Sequence, residues 1–239
     1  MLYLYFVIGT ITSIYLFTKM CFKKQKKEAP KDIIYLVDQN IDHLFSVMDI
    51  ISPKADAFDK PFQLCQQISQ VPDDTHIKII IQTHGGSLTN CEKILKKLLK
   101  HPGGYTAYIK NECFSSGTII ALGAKEIIMT DDSYLGKIDP QIVKNSIGEI
   151  YPAIAYSSLN EKYITGENIK DYKISQQVLN YTESLLDIIF KDNKTLKNLI
   201  RDEMVYSNFP HSKTFDFETC KKMGLNVRNP TSDESMLFT

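Results

Sequence analysis

The feature that most restricts the fold of this chain is the alternation of short apolar runs with segments of helical periodicity. The β-branched run at 77–81 predicts a buried strand, and the pattern at 88–99 predicts an amphipathic helix. Further strands are predicted at 33–37, 105–109 and 126–130, and further helices at 58–69, 115–123 and through much of 152–200. Strand and helix in alternation imply right-handed βαβ crossovers, so the sequence predicts an α/β fold with a mostly parallel sheet.

The first residues differ from the rest. Residues 1–18 contain no Asp, Glu, Lys, Arg or His, and lysines dominate residues 23–31. About 20 apolar residues cross a bilayer as a helix, and a cleavable signal peptide would carry its basic residues before the apolar run. The sequence therefore predicts a transmembrane anchor at 1–22 and a basic linker at 23–31. The positive-inside rule predicts a single-pass membrane protein whose main domain is on the cytosolic side.

Composition excludes several classes of function. Lys and Arg number 28, as do Asp and Glu, so a neutral chain has no general attraction for nucleic acid. The five cysteines include no Cys-x-x-Cys pair, which argues against a zinc ribbon or a disulfide framework. The sequence has neither ligand spacing for a metal nor a dinucleotide or P-loop motif. We expect no metal, no cofactor and no nucleic-acid partner.

Two short segments could carry chemistry. Gly85 and Gly86 follow a predicted strand, and paired glycines let backbone N–H groups approach a ligand closely. Ser115 and Ser116 follow the next strand and open a helix of small, apolar residues. Each segment alone is also compatible with a simple role, as a tight turn or as a helix N-cap. Because neighbouring parallel strands end at the same sheet edge, the two together favour an acyl-transfer site.

The motifs around these segments resemble a known family. Ser115-Ser116-Gly117-Thr118 fits Ser-x-Gly-Thr, and residues 133–141 fit Ser-x-Leu-Gly-x-Ile-Asp-Pro-Gln. Both patterns are similar to those of the serine dehydrogenase proteinase family, in the superfamily of Clp peptidases, signal peptide peptidase A and crotonases. The resemblance spans residues 32–230 and leaves 231–239 as a tail. It implies a Clp/crotonase-like fold of repeated ββα/βαβ units.

The resemblance also implies roles for individual residues. Ser115 matches the serine nucleophile, and Gly85 and Gly86 match the glycines whose N–H groups form the oxyanion hole. The backbone N–H of Ser116 could help to hold the oxyanion. His84 stands where the family has a proline, so an imidazole is expected at the edge of the site as an auxiliary group.

The general base is the open part of this assignment. Clp peptidases use a Ser-His-Asp triad and signal peptide peptidase A uses Ser and Lys. Lys162 lies about where the Ser–Lys relatives carry their lysine and is the predicted base, with Lys144 and Lys170 as alternatives. Asp139 is nearest to the place of the Clp histidine, and His211 lies in a Pro-flanked turn; both are possible auxiliary residues.

The sequence thus predicts a membrane-anchored serine peptidase that cleaves peptide or protein substrates and, by resemblance, forms homo-oligomers. Two alternatives stay open. One is a catalytically inactive membrane-anchored scaffold of the same fold. The other is a crotonase-type acyl-CoA enzyme, which the Ser-x-Gly-Thr segment disfavours.

Overall fold

The structure, a computed structural model, describes residues 32–38, 58, 60–144 and 149–238. The strands are β1 (Ile33–Val37), β2 (Ile77–Thr83), β3 (Tyr105–Cys113), β4 (Glu126–Met129), β5 (Tyr134–Gly136), β6 (Gln141–Lys144), β7 (Glu149–Pro152), β8 (Thr214–Phe215) and β9 (Val227–Arg228). The α-helices are α1 (Pro61–Gln70), α2 (Leu88–Leu99), α3 (Ser116–Leu122), α4 (Ala153–Ser157), α5 (Ile169–Ile189), α6 (Lys194–Ile200) and α7 (Phe217–Lys222). Short helical turns lie at Glu161–Tyr163, Arg201–Val205 and Glu234–Leu237.

The main sheet has the order β1-β2-β3-β4-β9, and every pair along this path is parallel. This arrangement confirms the predicted α/β fold with a mostly parallel sheet. Strand β5 extends the pairing at the end of β3, and β8 pairs antiparallel with β5. Strands β6 and β7 form a separate antiparallel hairpin.

The core lies mainly on one face of the sheet. Alternate residues of β2 and β3 enter it, and the apolar sides of the helices cover them; Ile79, Ile81, Ala107, Leu95 and Ile119 are typical members. A smaller cluster on the other face contains Ile80, Tyr108 and Ile128, against which Leu237 and Phe238 pack. The helix predicted at 88–99 is observed with the same bounds, and its Ile94, Leu95 and Leu98 face this core.

A bulge in β3 places the site. The pairing of β2 and β3 changes between Ile81↔Ile109 and Thr83↔Cys113, so β3 holds extra residues at its end. Asn111 takes a positive φ of 61° there. Strand β3 therefore runs to Cys113, beyond the predicted end at residue 109, and leads directly into α3.

The region 152–200 is helical but broken into α4, a short turn, α5 and α6. Polar turn segments at 164–168 and 190–193 interrupt the apolar periodicity. Strands β5 to β7 were not predicted from the sequence, because the residue pattern of a three- or four-residue strand hardly differs from that of a turn.

The predicted anchor at 1–22 and the predicted linker at 23–31 lie outside the described residues. Within the described ranges, none of the helices combines the length and apolar character that a bilayer span requires.

Candidate active site

Ser115 occupies a sharp turn between β3 and α3. Its backbone has φ 50° and ψ −120°, a conformation that residues with side chains rarely adopt. The Ser115 N–H donates to the carbonyl of Lys137 at 3.2 Å, which fixes the turn against the segment after β5. Strain of this kind persists where surrounding contacts determine it, and it is common at active sites. The turn leaves the Ser115 side chain half-buried at the carboxyl edge of the sheet.

Gly85 lies directly against this serine. It has φ +108°, and a Cβ built on it would stand 2.6 Å from the Ser115 Cβ and 3.1 Å from the Ser115 Oγ. Only a residue without a side chain fits both the conformation and the space. The structure thus brings the predicted nucleophile and the predicted diglycine turn together.

The side chains of Thr83 and Asp38 hold the diglycine turn by hydrogen bonds. The Thr83 hydroxyl donates to Asp38 Oδ2 at 2.8 Å and accepts the Gly85 N–H at 3.0 Å. The His84 N–H donates to the same carboxylate oxygen at 2.8 Å. The Gly85 N–H is therefore already paired, and Gly85 serves the site through its lack of a side chain. Neither Thr83 nor Asp38 was a candidate from the sequence.

The N–H groups of Gly86 and Ser116 differ from that of Gly85, since neither donates to an acceptor among the described residues. The Ser116 side chain, by contrast, is fully buried, and its hydroxyl donates to the Gly86 carbonyl at 2.8 Å. Of the two adjacent serines, Ser116 has its hydroxyl committed to the turn and Ser115 does not.

The rest of the Ser-x-Gly-Thr motif shapes the turn. A Cβ at Gly117 would stand 2.4 Å from the Thr83 Cγ2, so glycine allows α3 to approach β2. The Thr118 hydroxyl donates to the Cys113 carbonyl at 2.6 Å and accepts the Gly136 N–H at 3.2 Å. These contacts join β3, α3 and β5 around the serine.

Two residues predicted as auxiliary form a close pair. His211 Nδ1 lies 2.7 Å from Asp139 Oδ1, and the carboxylate is 2% exposed. The second carboxylate oxygen accepts from Gln141 Nε2 at 2.9 Å. Since a carboxylate only accepts, Nδ1 is the donor of this pair, and in a neutral imidazole Nε2 then has the lone pair. The arrangement is that of a histidine oriented by a buried acid.

Lys137 lies beneath this pair and is 1% exposed. Its ammonium donates to the carbonyls of Ser207 and Phe209 at 2.8 and 2.9 Å, and it lies 3.7 Å from Asp139 Oδ2. Lys137 was not among the site residues predicted from the sequence. The available signal was a lysine in the otherwise apolar or small run of residues 135–138.

A cavity of about 520 Å³ adjoins the pair. Its apolar walls include Pro152 at the end of β7, Ile154 of α4 and Phe209 of the loop before His211. Lys137, Asp139 and Gln141 also line it. The cavity has room for a side chain of a bound ligand.

Two other predicted residues lie at exposed positions. Lys162, in the turn Glu161–Tyr163, has its ammonium 4.8 Å from the centre of the Tyr163 ring. The His84 ring packs edge-on against Phe114 at 5.9 Å, and its Nε2 lies 3.7 Å from Glu112 Oε2. His84 is thus at the rim of the diglycine turn, as the sequence suggested, and the role of Lys162 as base stays a prediction.

The thiols near the serine are not rival nucleophiles. Cys91 and Cys113 are both fully buried, and burial raises the pKa of each thiol well above its ordinary value. A nucleophilic cysteine needs its thiolate form, so these thiols are packing groups. Among the residues that the structure describes, no cluster of His, Cys, Asp and Glu could bind a metal ion.

Several known proteins are similar to this chain in sequence or in fold. Two uncharacterized proteins of Methanocaldococcus jannaschii, MJ0137 and MJ1495, are 27% and 28% identical over 72% and 69% of this chain. The chain spans 60% and 56% of their lengths. Two structures of the 1510-N membrane-bound stomatin-specific protease have the same fold. One is a lysine-to-alanine mutant with a substrate peptide; the other is a serine-to-alanine mutant.

Each of these structures has a TM-score of 0.52 and covers 76% of this chain; the coverage of the protease chains is 72% and 76%. The sequence identities are 17% and 16%, so this likeness concerns the fold. The family of ClpP-like SDH-type serine proteinases matches residues 19–236. The chain belongs to this family, which confirms the predicted resemblance.

Proposed function

We propose that this protein is a serine peptidase in which Ser115 attacks the carbonyl carbon of a peptide bond. The observation that carries the proposal is the close approach of the Ser115 Oγ to Gly85 in a strained turn at the sheet edge. Such a turn holds a nucleophile in place before substrate binds, and so reduces the entropy lost on reaching the transition state. The substrate peptide held by the 1510-N protease supports a peptide substrate here.

The oxyanion formed by this attack needs donors beside the serine. The N–H groups of Gly86 and Ser116 fit this role, since each is without an acceptor among the described residues. The Ser116 hydroxyl donates to the Gly86 carbonyl and so holds the residue that carries this N–H group. Loss of one oxyanion-hole donor typically lowers the rate about 10²- to 10³-fold.

We propose His211 as the general base, because it pairs with the buried Asp139 and because Lys137, whose carbonyl accepts the Ser115 N–H, lies 3.7 Å from the same carboxylate. Its Nε2 takes the proton of the Ser115 hydroxyl as the C–O bond forms, and Asp139 stabilises the resulting imidazolium through Nδ1. The imidazolium then gives the proton to the leaving amine as the C–N bond breaks. Water, activated by the same histidine, hydrolyses the acyl-enzyme and releases Ser115.

A fluorophosphonate probe tests the nucleophile. We expect the wild-type chain to be labelled, the Ser115→Ala variant to be unlabelled and the Ser116→Ala variant to keep its label. Equal labelling of wild type and Ser115→Ala would refute the assignment. Absence of labelling and of casein hydrolysis in the wild type would favour the inactive scaffold, and binding of an acyl-CoA would favour the crotonase-type enzyme.

A second comparison separates the two candidate bases. His211→Gln and Lys162→Met are measured with a short peptide ester. Loss of a catalytic base lowers the rate about 10²- to 10⁴-fold. We expect this loss for His211→Gln, and at most a small change for Lys162→Met. The reverse result would assign the base to Lys162.

The proposal includes the anchor at 1–22, with the peptidase domain on the cytosolic side and with assembly into homo-oligomers. It rests on the uncharged run at 1–18 followed by lysines, and on the description of the 1510-N protease as membrane-bound. The full chain should stay in the membrane pellet after alkaline carbonate extraction. In sealed vesicles with the cytosolic face outward, added protease should digest the domain. Release by carbonate, or protection from protease, would contradict it.

A further inference from the structure

A lysine at position 137 is unexpected for its surroundings. The residue is 1% exposed, and burying an ammonium removes its favourable hydration. In the family pattern this position is variable, so the motif itself does not demand a charge. Two carbonyls and one carboxylate surround the ammonium and offset the lost hydration.

These contacts connect two parts of the site that are distant in sequence. Asp139 follows Lys137 by two residues on the segment after β5, whereas Ser207 and Phe209 belong to the loop that carries His211. The Lys137 side chain therefore joins the acid and the backbone of the histidine loop.

We propose that Lys137 is a positioning residue, whose buried ammonium holds the Asp139 carboxylate and the loop Ser207–Phe209 so that His211 stays oriented as a base. This role rests on the proposed function. Lys137 itself does not touch the substrate carbonyl, because its donors are directed to the loop and to Asp139.

The charge of Lys137 has a consequence for His211 that a purely structural residue would lack. A nearby positive charge disfavours the imidazolium form, so removal of that charge lets the histidine protonate at higher pH. The acidic limb of the pH–rate profile reports this protonation.

Other charged and titratable groups lie on the loop of His211 and on the neighbouring elements. On its own loop, Lys213 lies over the rings of Phe209 and Phe215. On the preceding helical turn, Arg201 pairs with Asp202, and the Tyr206 hydroxyl donates to Glu183. Tyr156 is the titratable residue of α4, and its ring packs on Tyr151. Among the described residues that line the cavity beside His211, Lys137 and Asp139 are the buried charged side chains.

The experiment compares full-length wild type, Lys137→Met and Lys137→Gln in detergent micelles, with a short peptide ester as substrate. Both variants remove the charge, and glutamine keeps a donor for one carbonyl. We expect kcat/KM at its plateau to fall about tenfold and the acidic limb to move up by about one pH unit. Lys222→Met, at an exposed lysine, is the charge-matched control and should leave the limb in place.

A second readout does not depend on activity. The ring signals of His211, followed by NMR against pH, should show a higher titration midpoint in both neutral variants than in wild type. An unchanged limb together with an unchanged His211 midpoint would overturn the proposal, even if kcat/KM fell. Inactivity of the wild type with every substrate would instead overturn the proposed function, and the His211 midpoint would still decide the electrostatic effect of Lys137.

Discussion

The buried hydroxyl of Ser116 donates to the carbonyl oxygen of Gly86 at 2.8 Å and so joins the start of α3 to the diglycine turn. Adjacent serines therefore have separate roles. The Ser116 hydroxyl orients the Gly86 peptide, whereas Ser115 presents its hydroxyl at the half-buried edge of the site.

Ser116→Ala should weaken the turn without removing the nucleophile. The variant loses one hydrogen bond, which contributes about 1 kcal/mol to stability. We expect a similar fall in the free energy of urea unfolding and a rate of ester hydrolysis reduced about tenfold, because Gly86, which carries one of the proposed oxyanion donors, is held less firmly. Stability unchanged from wild type, with full activity, would contradict this role.

Gly85→Ala tests the close approach of the two segments. The new Cβ would meet the Ser115 Cβ at 2.6 Å, and the backbone would have to hold φ near +108°. We expect loss of fluorophosphonate labelling and destabilisation of more than about 2 kcal/mol, since both clash and strain contribute.

Two matched glycines separate those causes. Gly224 has φ +85° with nothing within 4 Å of a built Cβ, and Gly166 also has open space but no left-handed φ. Gly224→Ala should cost about 1 kcal/mol from backbone strain, and Gly166→Ala should cost little. Both should keep their label. If Gly85→Ala behaved like Gly224→Ala, the clash with Ser115 would be excluded.

Thr83→Val removes the hydroxyl that links Asp38 to the Gly85 N–H while nearly keeping the shape of the side chain. The buried Gly85 N–H would lose its acceptor, and we expect a loss of about 1–3 kcal/mol in stability with a fall in labelling rate. Thr182→Val is the control, because that buried hydroxyl donates to a carbonyl of its own helix, at Val178. A labelling rate equal to that of wild type in Thr83→Val would contradict the role of the clamp.

Strands β1 to β4 of the main sheet could be predicted because each contains an apolar run with β-branched residues, whereas the two-residue strand β9 has no such pattern. The serine and the diglycine turn could be paired because parallel strands end at one edge. The backbone conformation of Ser115 could not be predicted, since serine has no preference for φ 50° and only the packing of Gly85, Lys137 and Thr118 imposes it.

The pairing of His211 with Asp139 was equally beyond the sequence. The two residues are 72 positions apart, and the loop that carries His211 has no periodic pattern to place it. Lys137 was missed for a different reason. Lysines are almost always exposed, so a lysine in a motif is first assigned to the surface unless its carbonyl partners are known.

The end of the chain offers a prediction that is independent of catalysis. Arg228 donates to both carboxylate oxygens of Glu234, at 2.7 and 2.9 Å, and the Tyr108 hydroxyl donates to the same carboxylate. The hydrogen bonds from Arg228 hold the pKa of Glu234 well below its ordinary value of 4.5. Burial and the bond to Glu234 raise the pKa of Tyr108 to about 12. This cluster fastens the segment after β9 over the second face of the sheet.

Glu234→Gln should therefore destabilise the protein in a pH-dependent way. A carboxyl whose pKa is lower in the folded than in the unfolded chain stabilises the fold above its unfolded pKa, and this contribution is lost as pH falls. At pH 7 we expect the free energy of unfolding of wild type to exceed that of Glu234→Gln by about 1 kcal/mol. This value is modest because the Arg228 side chain is 38% exposed. The difference should shrink steadily below about pH 4.5 in urea unfolding.

Glu218→Gln, at an exposed position of α7, removes the same charge and should show little difference at any pH. If the difference in free energy of unfolding between wild type and Glu234→Gln stayed constant from pH 7 to pH 3, the carboxylate would not be the group that holds residues 231–239 against the sheet.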